Sequence, residues 1–191
     1  SLYDTKIVWQ ENLDESGNFS NIKLIHNGLA EVNTLYGADL NHDGNTDLIA
    51  TSNEDKLIWF ENLGGTSGFS PAQTIADDVD RASSVVAGDK DNDGDFDIVV
   101  CLDYESIVWY ENIDGLGLFD YSGSIVSNVE GKLSVILKDL NEDGDLDVIW
   151  SAIVDDEYIR VNRSENIDSG VSFSNPQTIY NSIPEKNYPN H

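Results

Sequence analysis

The chain has 191 residues, of which 39% are hydrophobic, and this is enough for one folded domain with a substantial core. Ten Lys and Arg residues against 36 Asp and Glu residues give a formal net charge of −26, which repels nucleic acids and anionic membranes and attracts cations or basic partners. No apolar run approaches the roughly 18 residues needed to span a bilayer, so neither nucleic-acid binding nor membrane insertion is expected.

The first predicted element is a strand around Trp9, in the segment VWQENL, which is followed by Phe19 shortly after a glycine. The same features return in IWFENL around Trp59 and in VWYENI around Trp109, at an interval of 50 residues. Self-similarity at a fixed interval is typical of repeat architectures. The sequence therefore predicts a structural repeat of this length.

An acidic segment followed by an apolar run lies between these strands and keeps the same interval. The three segments are DLNHDGNTDLIA from Asp39, DKDNDGDFDIVV from Asp89 and DLNEDGDLDVIW from Asp139. A fourth copy of the Glu-Asn motif is imperfect, because SENI at 164–167 and the phenylalanine after it arrive four residues late. We expect the additional residues to lengthen a hairpin loop at 155–157.

Each repeat predicts four short antiparallel strands, which in the middle copy cover 82–88, 97–102, 106–112 and 119–126, with Gly, Asn and Asp in the turns between them. Four such strands in a repeat of about 40 to 50 residues are typical of a β-propeller blade. The predicted fold is all-β, a propeller of about three and a half blades. The single domain divides into an outer half-blade, three full blades and a tail or start of a further blade, at 6–26, 27–76, 77–126, 127–180 and 181–191 respectively.

Two arrangements of these blades remain open, because a closed ring normally uses four to eight blades. In one, the open edges pair with other copies or other chains in a larger assembly. In the other, the tail and the N-terminal strands complete a fourth blade. The tail contains Pro184 and Pro189, which lack the N–H that a paired strand needs, so the assembly is favoured.

The acidic segments predict metal-binding loops, called loop 1 (39–47), loop 2 (89–97) and loop 3 (139–147). Oxygen side chains occupy positions one, three, five and nine, and position six is a glycine that permits a bend with positive φ. Ca²⁺ takes six to eight oxygen ligands, whereas Mg²⁺ keeps several waters. An EF-hand would need a glutamate at position twelve, where these segments have Ala50, Val100 and Trp150. The predicted ligands of three Ca²⁺ ions are Asp39, Asn41, Asp43, the carbonyl of Asn45 and Asp47; Asp89, Asp91, Asp93, the carbonyl of Asp95 and Asp97; and Asp139, Asn141, Asp143, the carbonyl of Asp145 and Asp147.

Loop 2 differs from its neighbours in having four ligand carboxylates where each of them has three. We therefore expect it to bind calcium most tightly and to repel itself most strongly without the ion. Sites of this kind need abundant calcium, which favours an extracellular location. Their expected role is structural.

The segment ADLNHDGNTDLIA at 38–50 resembles the FG-GAP or VCBS repeat family, whose blades carry A-D-x-N-x-D-G-x-x-D-[LI] before an inner strand. Gly88 and Lys138 replace the leading alanine in the other two copies. Similar calcium loops occur in the propeller of integrin α subunits. With the Trp-Glu-Asn strands included, the resemblance covers about 6–180. It implies a secreted or surface β-propeller with one calcium per motif-bearing blade. Such modules are found in adhesins, lectin-like binders and accessory domains of secreted polysaccharide-degrading enzymes, and occasionally are enzymes themselves.

Three functions follow for such a chain. The first is a non-catalytic, calcium-stabilised module that recognises a glycan or protein ligand. The second is a structural repeat whose open blade edges join copies into a multimer or fibre. The third is a part of a secreted polysaccharide-active enzyme, for which Tyr36, His42 and Tyr104 are the candidate residues.

Several side chains are expected to have structural roles. The repeated tryptophans could stack on sugars, but packing between blades is favoured because they recur at one position of the strand. The Glu-Asn pairs are expected to fix the turn that follows. The single cysteine, Cys101, lies in an apolar run and is expected to be a buried, inert thiol.

Overall fold

A computed structural model describes residues 4–65, 67–154 and 158–182 of the chain. The expected long hairpin loop at 155–157 and most of the predicted tail lie outside the described residues. Within these ranges the protein is all-β and forms no helix, so no helix that could cross a membrane is found there. The strands are β1 Asp4–Trp9, β2 Lys23–Ala30, β3 Val32–Ala38, β4 Asp47–Ser52, β5 Lys56–Phe60, β6 Gln73–Ala76, β7 Ala82–Gly88, β8 Asp97–Leu102, β9 Ser106–Asn112, β10 Phe119–Ser127, β11 Lys132–Lys138, β12 Asp147–Val154, β13 Tyr158–Ser164 and β14 Gln177–Asn181.

The strands form four antiparallel sheets in which neighbours along the chain pair with one another. Sheet 1 contains β1 and β2, sheet 2 contains β3 to β6, sheet 3 contains β7 to β10, and sheet 4 contains β11 to β14. The all-β class is confirmed. In the middle repeat, β7, β8 and β9 coincide with the predicted strands and β10 is one residue longer.

The imperfect fourth copy still builds a complete four-stranded sheet. The asparagine of each Glu-Asn pair bridges the phenylalanine seven residues later, and this closes the turn after the third strand of a sheet. Sheet 4 keeps this bridge in spite of its inserted residues. The bridged pairs are Asn12 with Phe19, Asn62 with Phe69, Asn112 with Phe119 and Asn166 with Phe173.

Each pair of successive sheets encloses its own hydrophobic cluster. Alternate residues of β8 face opposite sides of sheet 3, as the pleat requires. Ile98 and Val100 pack into the cluster shared with sheet 2, whereas Val99 and Cys101 pack into the cluster shared with sheet 4. Every residue of β8 is therefore buried, which explains its continuous apolar sequence.

Burial confirms the expected role of Cys101, whose side chain is inaccessible to solvent and whose thiol pKa is raised by desolvation. Trp59 is also buried, and its ring contacts Phe119 edge-on at a centroid distance of 6.3 Å. A Cβ on Gly117 would lie 2.3 Å from this ring. Trp59 therefore packs between sheets 2 and 3, as the sequence predicts.

Candidate metal-binding loops

The three acidic loops join the first strand of a sheet to the second, in sheets 2, 3 and 4. They lie at the same end of their sheets because all three follow the first strand. The sixth-position glycine has a positive φ of 84°, 101° and 99° in loops 1, 2 and 3. The fourth-position residue also has a positive φ, which the sequence pattern did not reveal. These residues are His42, Asn92 and Glu142.

The carboxylates at positions one and five accept hydrogen bonds from backbone N–H groups of their own loop. The glycine N–H at position six donates to the first aspartate at 3.0, 3.2 and 3.0 Å in loops 1, 2 and 3. The N–H at position seven donates to the fifth-position aspartate at 2.7, 2.9 and 2.9 Å. Each loop is thus held in a tight bend.

Loop 2 gathers its carboxylates most closely. Asp89, Asp91 and Asp93 each offer an oxygen, and these three atoms lie within 4.8 Å of one another. The Oδ1 atom of Asp89 is buried and accepts no hydrogen bond from the part of the chain that the structure describes, which is costly for a carboxylate oxygen. Burial, with repulsion from Asp93, raises the pKa of Asp91. A hard divalent cation fits this donor set, because it supplies both the missing partner and the opposing charge.

The third-position amides of loops 1 and 3 are oriented by the glutamate of the Glu-Asn pair. The Nδ2 atom of Asn41 donates to Glu61 at 3.3 Å, and that of Asn141 donates to Glu165 at 2.8 Å. Their Oδ1 atoms accept the N–H at position five at 3.2 and 3.1 Å. The amide oxygen therefore faces the loop interior, where a cation would need it. From the sequence, these glutamates are expected only to fix the turn that follows them.

The ninth-position aspartates are buried and hold each loop to its sheet. One carboxylate oxygen accepts the N–H at position two at 3.2, 3.3 and 3.2 Å in loops 1, 2 and 3. The other accepts the N–H of the Glu-Asn asparagine at 2.7, 2.9 and 3.0 Å. Each oxygen keeps a lone pair that can bind a metal. Burial raises the pKa of Asp97 to about 7 and also raises that of Asp47.

The asparagines of the Glu-Asn pairs fix the following turn, as expected, and they also reach the preceding sheet. Asn112 accepts the Gly117 N–H at 3.1 Å and donates to the carbonyl of Leu40 in loop 1 at 2.8 Å. Asn166 donates in the same way to the carbonyl of Lys90 in loop 2 at 2.9 Å. Loops 1 and 2 are therefore braced by the sheet that follows them.

Neighbouring loops also touch through the fourth position of one and the seventh position of the next. His42 Nε2 lies 3.1 Å from Asp95 Oδ1, and Asn92 Nδ2 donates to Asp145 Oδ1. The side chains of Asp95 and Asp145 are thus engaged between loops. That position seven offers its carbonyl to the ion stays a prediction.

Lys90 occupies position two of loop 2, where loops 1 and 3 have leucine. Its side chain is fully buried, its Nζ atom lies 3.0 Å from the centroid of the Trp109 ring, and it donates to the Gly170 carbonyl of sheet 4. Burial lowers its pKa to about 8, against the opposing effects of Asp97 and other nearby carboxylates. This contact was not predicted from the sequence. The only signal was a lysine at a position otherwise occupied by leucine.

The structure does not bring the three candidate catalytic residues together. His42 lies in loop 1, and Tyr36 precedes that loop in β3. Tyr104 lies in the turn between β8 and β9, beyond the end of β8 that is distant from loop 2. A shared reaction centre of these side chains is therefore not formed.

Comparison with known protein families gives one match. Residues 39–100, which include loops 1 and 2, match the model of an FG-GAP-like repeat. This agrees with the resemblance inferred from the acidic segments. No curated protein matches the chain.

Proposed function

We propose that this chain, whose residues 39–100 carry an FG-GAP-like repeat, is a calcium-binding extracellular β-propeller module that recognises a glycan or protein ligand and is not itself an enzyme. The observation that carries the calcium assignment is the oxygen cluster of Asp89, Asp91 and Asp93 with its unpartnered Asp89 Oδ1. FG-GAP-like repeats are typically non-catalytic modules. The separation of Tyr36 and His42 from Tyr104 supports the same interpretation.

The arrangement of the sheets supports the propeller. Sheets 2, 3 and 4 are four-stranded meanders at an interval of 50 residues, and their first strands β3, β7 and β11 lie next to one another. Apolar side chains fill the space between successive sheets. In this proposal each sheet is a blade and sheet 1 is the outer half of one, so that other copies or chains complete the ring.

Calcium in the three loops would be held by the side-chain oxygens at positions one, three, five and nine together with the carbonyl at position seven. The ion supplies positive charge that offsets the repulsion between these carboxylates. The residues of the loop already hold its bend through their N–H to carboxylate hydrogen bonds. Because such loops need abundant calcium, the proposal includes an extracellular location.

Calcium removal and restoration test the proposal. Protein treated with EGTA and returned to millimolar Ca²⁺ is expected to gain at least about 5 °C in Tm, since one site filled to 100 times its Kd adds about 2.7 kcal/mol. Isothermal titration calorimetry is expected to show three binding events. The D89N/D93N variant should lose one of them, whereas D77N/D78N, which removes two exposed carboxylates outside the loops, should keep all three. An unchanged Tm would contradict the proposal.

A second candidate function is assembly through the open faces of β3 in sheet 2 and β11 in sheet 4. Leu35 of β3 is 47% exposed and Ile136 of β11 is 56% exposed, whereas the corresponding Val85 and Val86 of β7 are 3% and 8% exposed. A partner surface that covers Leu35 and Ile136 would bury them to the same extent as Val85 and Val86 of β7. Native mass spectrometry with and without EGTA separates the two functions. A calcium-dependent multimer without ligand affinity favours assembly, and a monomer that binds ligand favours recognition.

A further inference from the structure

A cleft of about 390 Å³ lies between sheets 3 and 4, at the end of the sheets opposite the acidic loops. One wall is the connection from β10 to β11, at 126–130, and the other is the face of sheet 4 that packs towards sheet 3. The volume falls within the range of about 300 to 1,000 Å³ typical of small-molecule sites. Its polar lining consists of Ser127, Asn128, Glu130, Trp150, Arg160, Asn162 and Thr178.

Sheet 4 departs from the repeat at this cleft. Trp150 pairs with Asn162 across β12 and β13, where sheet 3 pairs Val100 with Val108 and sheet 2 pairs Ala50 with Ile58. Arg160 stands at the position of Ser106 in sheet 3 and of Lys56 in sheet 2. An apolar pair between sheets is thus replaced by an indole and an amide, beside the guanidinium. The packing of the repeat does not require this pair, because sheets 2 and 3 bury apolar residues at the places of Trp150 and Asn162.

Two of the new groups are hydrogen-bond donors without acceptors. Trp150 is 2% exposed, and its Nε1–H donates to no acceptor among the described residues. Arg160 is half-buried and forms no hydrogen bond or ion pair with another residue of the described ranges. Neither group can accept a hydrogen bond, and leaving buried donors unpaired is costly. A ligand that supplies acceptors, above all a carboxylate matched to the guanidinium fork, would satisfy both.

The remaining lining residues favour hydroxyl groups on the same ligand. The Thr178 hydroxyl donates to Asn162 Oδ1 at 2.9 Å, which fixes the amide in the cleft. Glu130 accepts hydrogen bonds only, and Ser127 can both donate and accept. The carboxylate of Glu130 also opposes a ligand with two negative charges. The cleft therefore matches a single carboxylate on a hydroxylated ring.

We infer that this cleft binds a uronic acid unit of an acidic glycan, with the carboxylate against Arg160 and Trp150 and the ring hydroxyls towards Glu130, Ser127 and Asn162. The inference rests on the proposed recognition function and names a site and a ligand class for it. The net charge of −26 repels an anion at a distance, but a Debye length of about 8 Å at physiological salt confines that repulsion. Direct contact with Arg160 then decides binding.

A titration followed by ¹H–¹⁵N NMR tests the inference on the calcium-loaded chain. The probes are methyl glucuronide and methyl galacturonide, with methyl glucoside, methyl galactoside and N-acetylaspartate as comparisons. The Trp150 indole N–H signal, assigned from its loss in W150F, is expected to shift saturably with a uronide. Neutral glycosides and N-acetylaspartate are expected to bind at least about tenfold more weakly, because each lacks either the carboxylate or the ring hydroxyls.

Matched variants separate the cleft from a general charge effect. R160S installs the residue of sheet 3 and should weaken uronide binding at least about tenfold. R163S removes the same charge from the opposite face of β13, where Arg163 donates to Gln177, and should leave binding unchanged. W150F keeps the ring and removes the N–H, so it should weaken binding as well. Equal calcium-dependent Tm values in all variants show that folding is intact.

Four results would overturn the inference: no saturable shift of the Trp150 signal, equal affinity for uronides and neutral glycosides, equal affinity for N-acetylaspartate, or equal effects of R160S and R163S. The proposed function fails separately. If calcium stabilises the chain and a glycan shifts only the indole signals of Trp9, Trp59 or Trp109, the recognition function stands and the cleft assignment falls. If calcium has no effect on Tm but the uronide binds, the cleft assignment stands and the calcium part of the proposed function falls.

Discussion

Loop 2 has the same backbone bend as loops 1 and 3 but differs from them in the side chains at positions two and three. Loops 1 and 3 have leucine at position two and an amide at position three, which donates to the glutamate of the Glu-Asn pair. Loop 2 has Lys90 and Asp91 there, and Asp91 as a carboxylate cannot donate to Glu111. The buried amine of Lys90 is instead close enough to Asp97, Asp91 and Glu111 for each to raise its pKa. The two substitutions are therefore complementary.

The same comparison refines the expectation that loop 2 repels itself most without calcium. Asp39 Oδ1 and Asp139 Oδ1 accept backbone N–H groups of their own loops at 3.1 and 2.7 Å, whereas Asp89 Oδ1 has no such partner. Loop 2 thus keeps an inward oxygen free for a cation. Lys90 offsets part of the charge from outside the loop, with its amine over the Trp109 ring. That loop 2 binds calcium most tightly stays a prediction.

The largest effect is expected from the ninth position, which all three loops share. D97A removes the acceptor of two backbone N–H groups, from Lys90 and Asn112. The unfolding free energy in EGTA should fall by about 2 to 6 kcal/mol, because each of the two buried donors left unpaired costs about 1 to 3 kcal/mol. Urea unfolding measures this. D47A and D147A should lose similar amounts, and a loss confined to D97A would show that the ninth aspartate holds only loop 2.

The pH dependence of stability offers a second view of Asp97. Its pKa of about 7 in the folded protein exceeds the value of about 4 expected in the unfolded chain, because burial disfavours the charged form. Between these values the folded state holds a proton that the unfolded state has released. In EGTA, the unfolding free energy should therefore fall as the pH rises from about 4 to 7. D97A should flatten this slope, and an equal slope in the variant would contradict the assignment.

A smaller effect is expected from K90L, which gives loop 2 the residue of its neighbours. In EGTA the variant should lose about 1 to 3 kcal/mol, because nearby carboxylates lose a buried cation and the Gly170 carbonyl loses its donor. Calcium affinity at loop 2 should rise, since the same cation no longer opposes the ion. The double variant K90L/D91N should recover part of the loss. Additive losses in a double-mutant cycle would show that the two positions are independent.

Much of this arrangement follows from the sequence, because it repeats. The 50-residue interval, the apolar run of β8 and the glycine of each loop predict the sheets and the bends within a residue or so. The third-position and fifth-position oxygens that face the loop interior are local features of nine residues. These parts depend on short-range geometry, which composition and spacing describe well.

The rest depends on contacts between residues that are distant in the chain. Asn112 donates to a carbonyl 72 residues earlier, and Lys90 to one 80 residues later. Neither partner is a side chain, so no residue type in the sequence marks it. The cleft at Trp150 could be suspected only from its departure from the repeat, since a tryptophan in an apolar run is more often packed in the core.

The smallest effect concerns how loop 2 is joined to its neighbours. Among the described residues, His42 of loop 1 contacts Asp95 of loop 2, and Asn92 of loop 2 donates to Asp145 of loop 3. Loop 2 is therefore linked to a neighbour on both sides, whereas each flanking loop is linked on one side. N92A should cost about 0.5 to 1.5 kcal/mol and should weaken the coupling between calcium binding at loops 2 and 3, while the pair of loops 1 and 2 keeps its link through His42. Calorimetric titration would show this as a loss of cooperativity between two of three sites. If H42A and N92A both leave cooperativity unchanged, the contacts between loops stabilise the fold without coupling the ions. Loop 2 would then differ from loops 1 and 3 in calcium binding only through its charge, and not through its place between them.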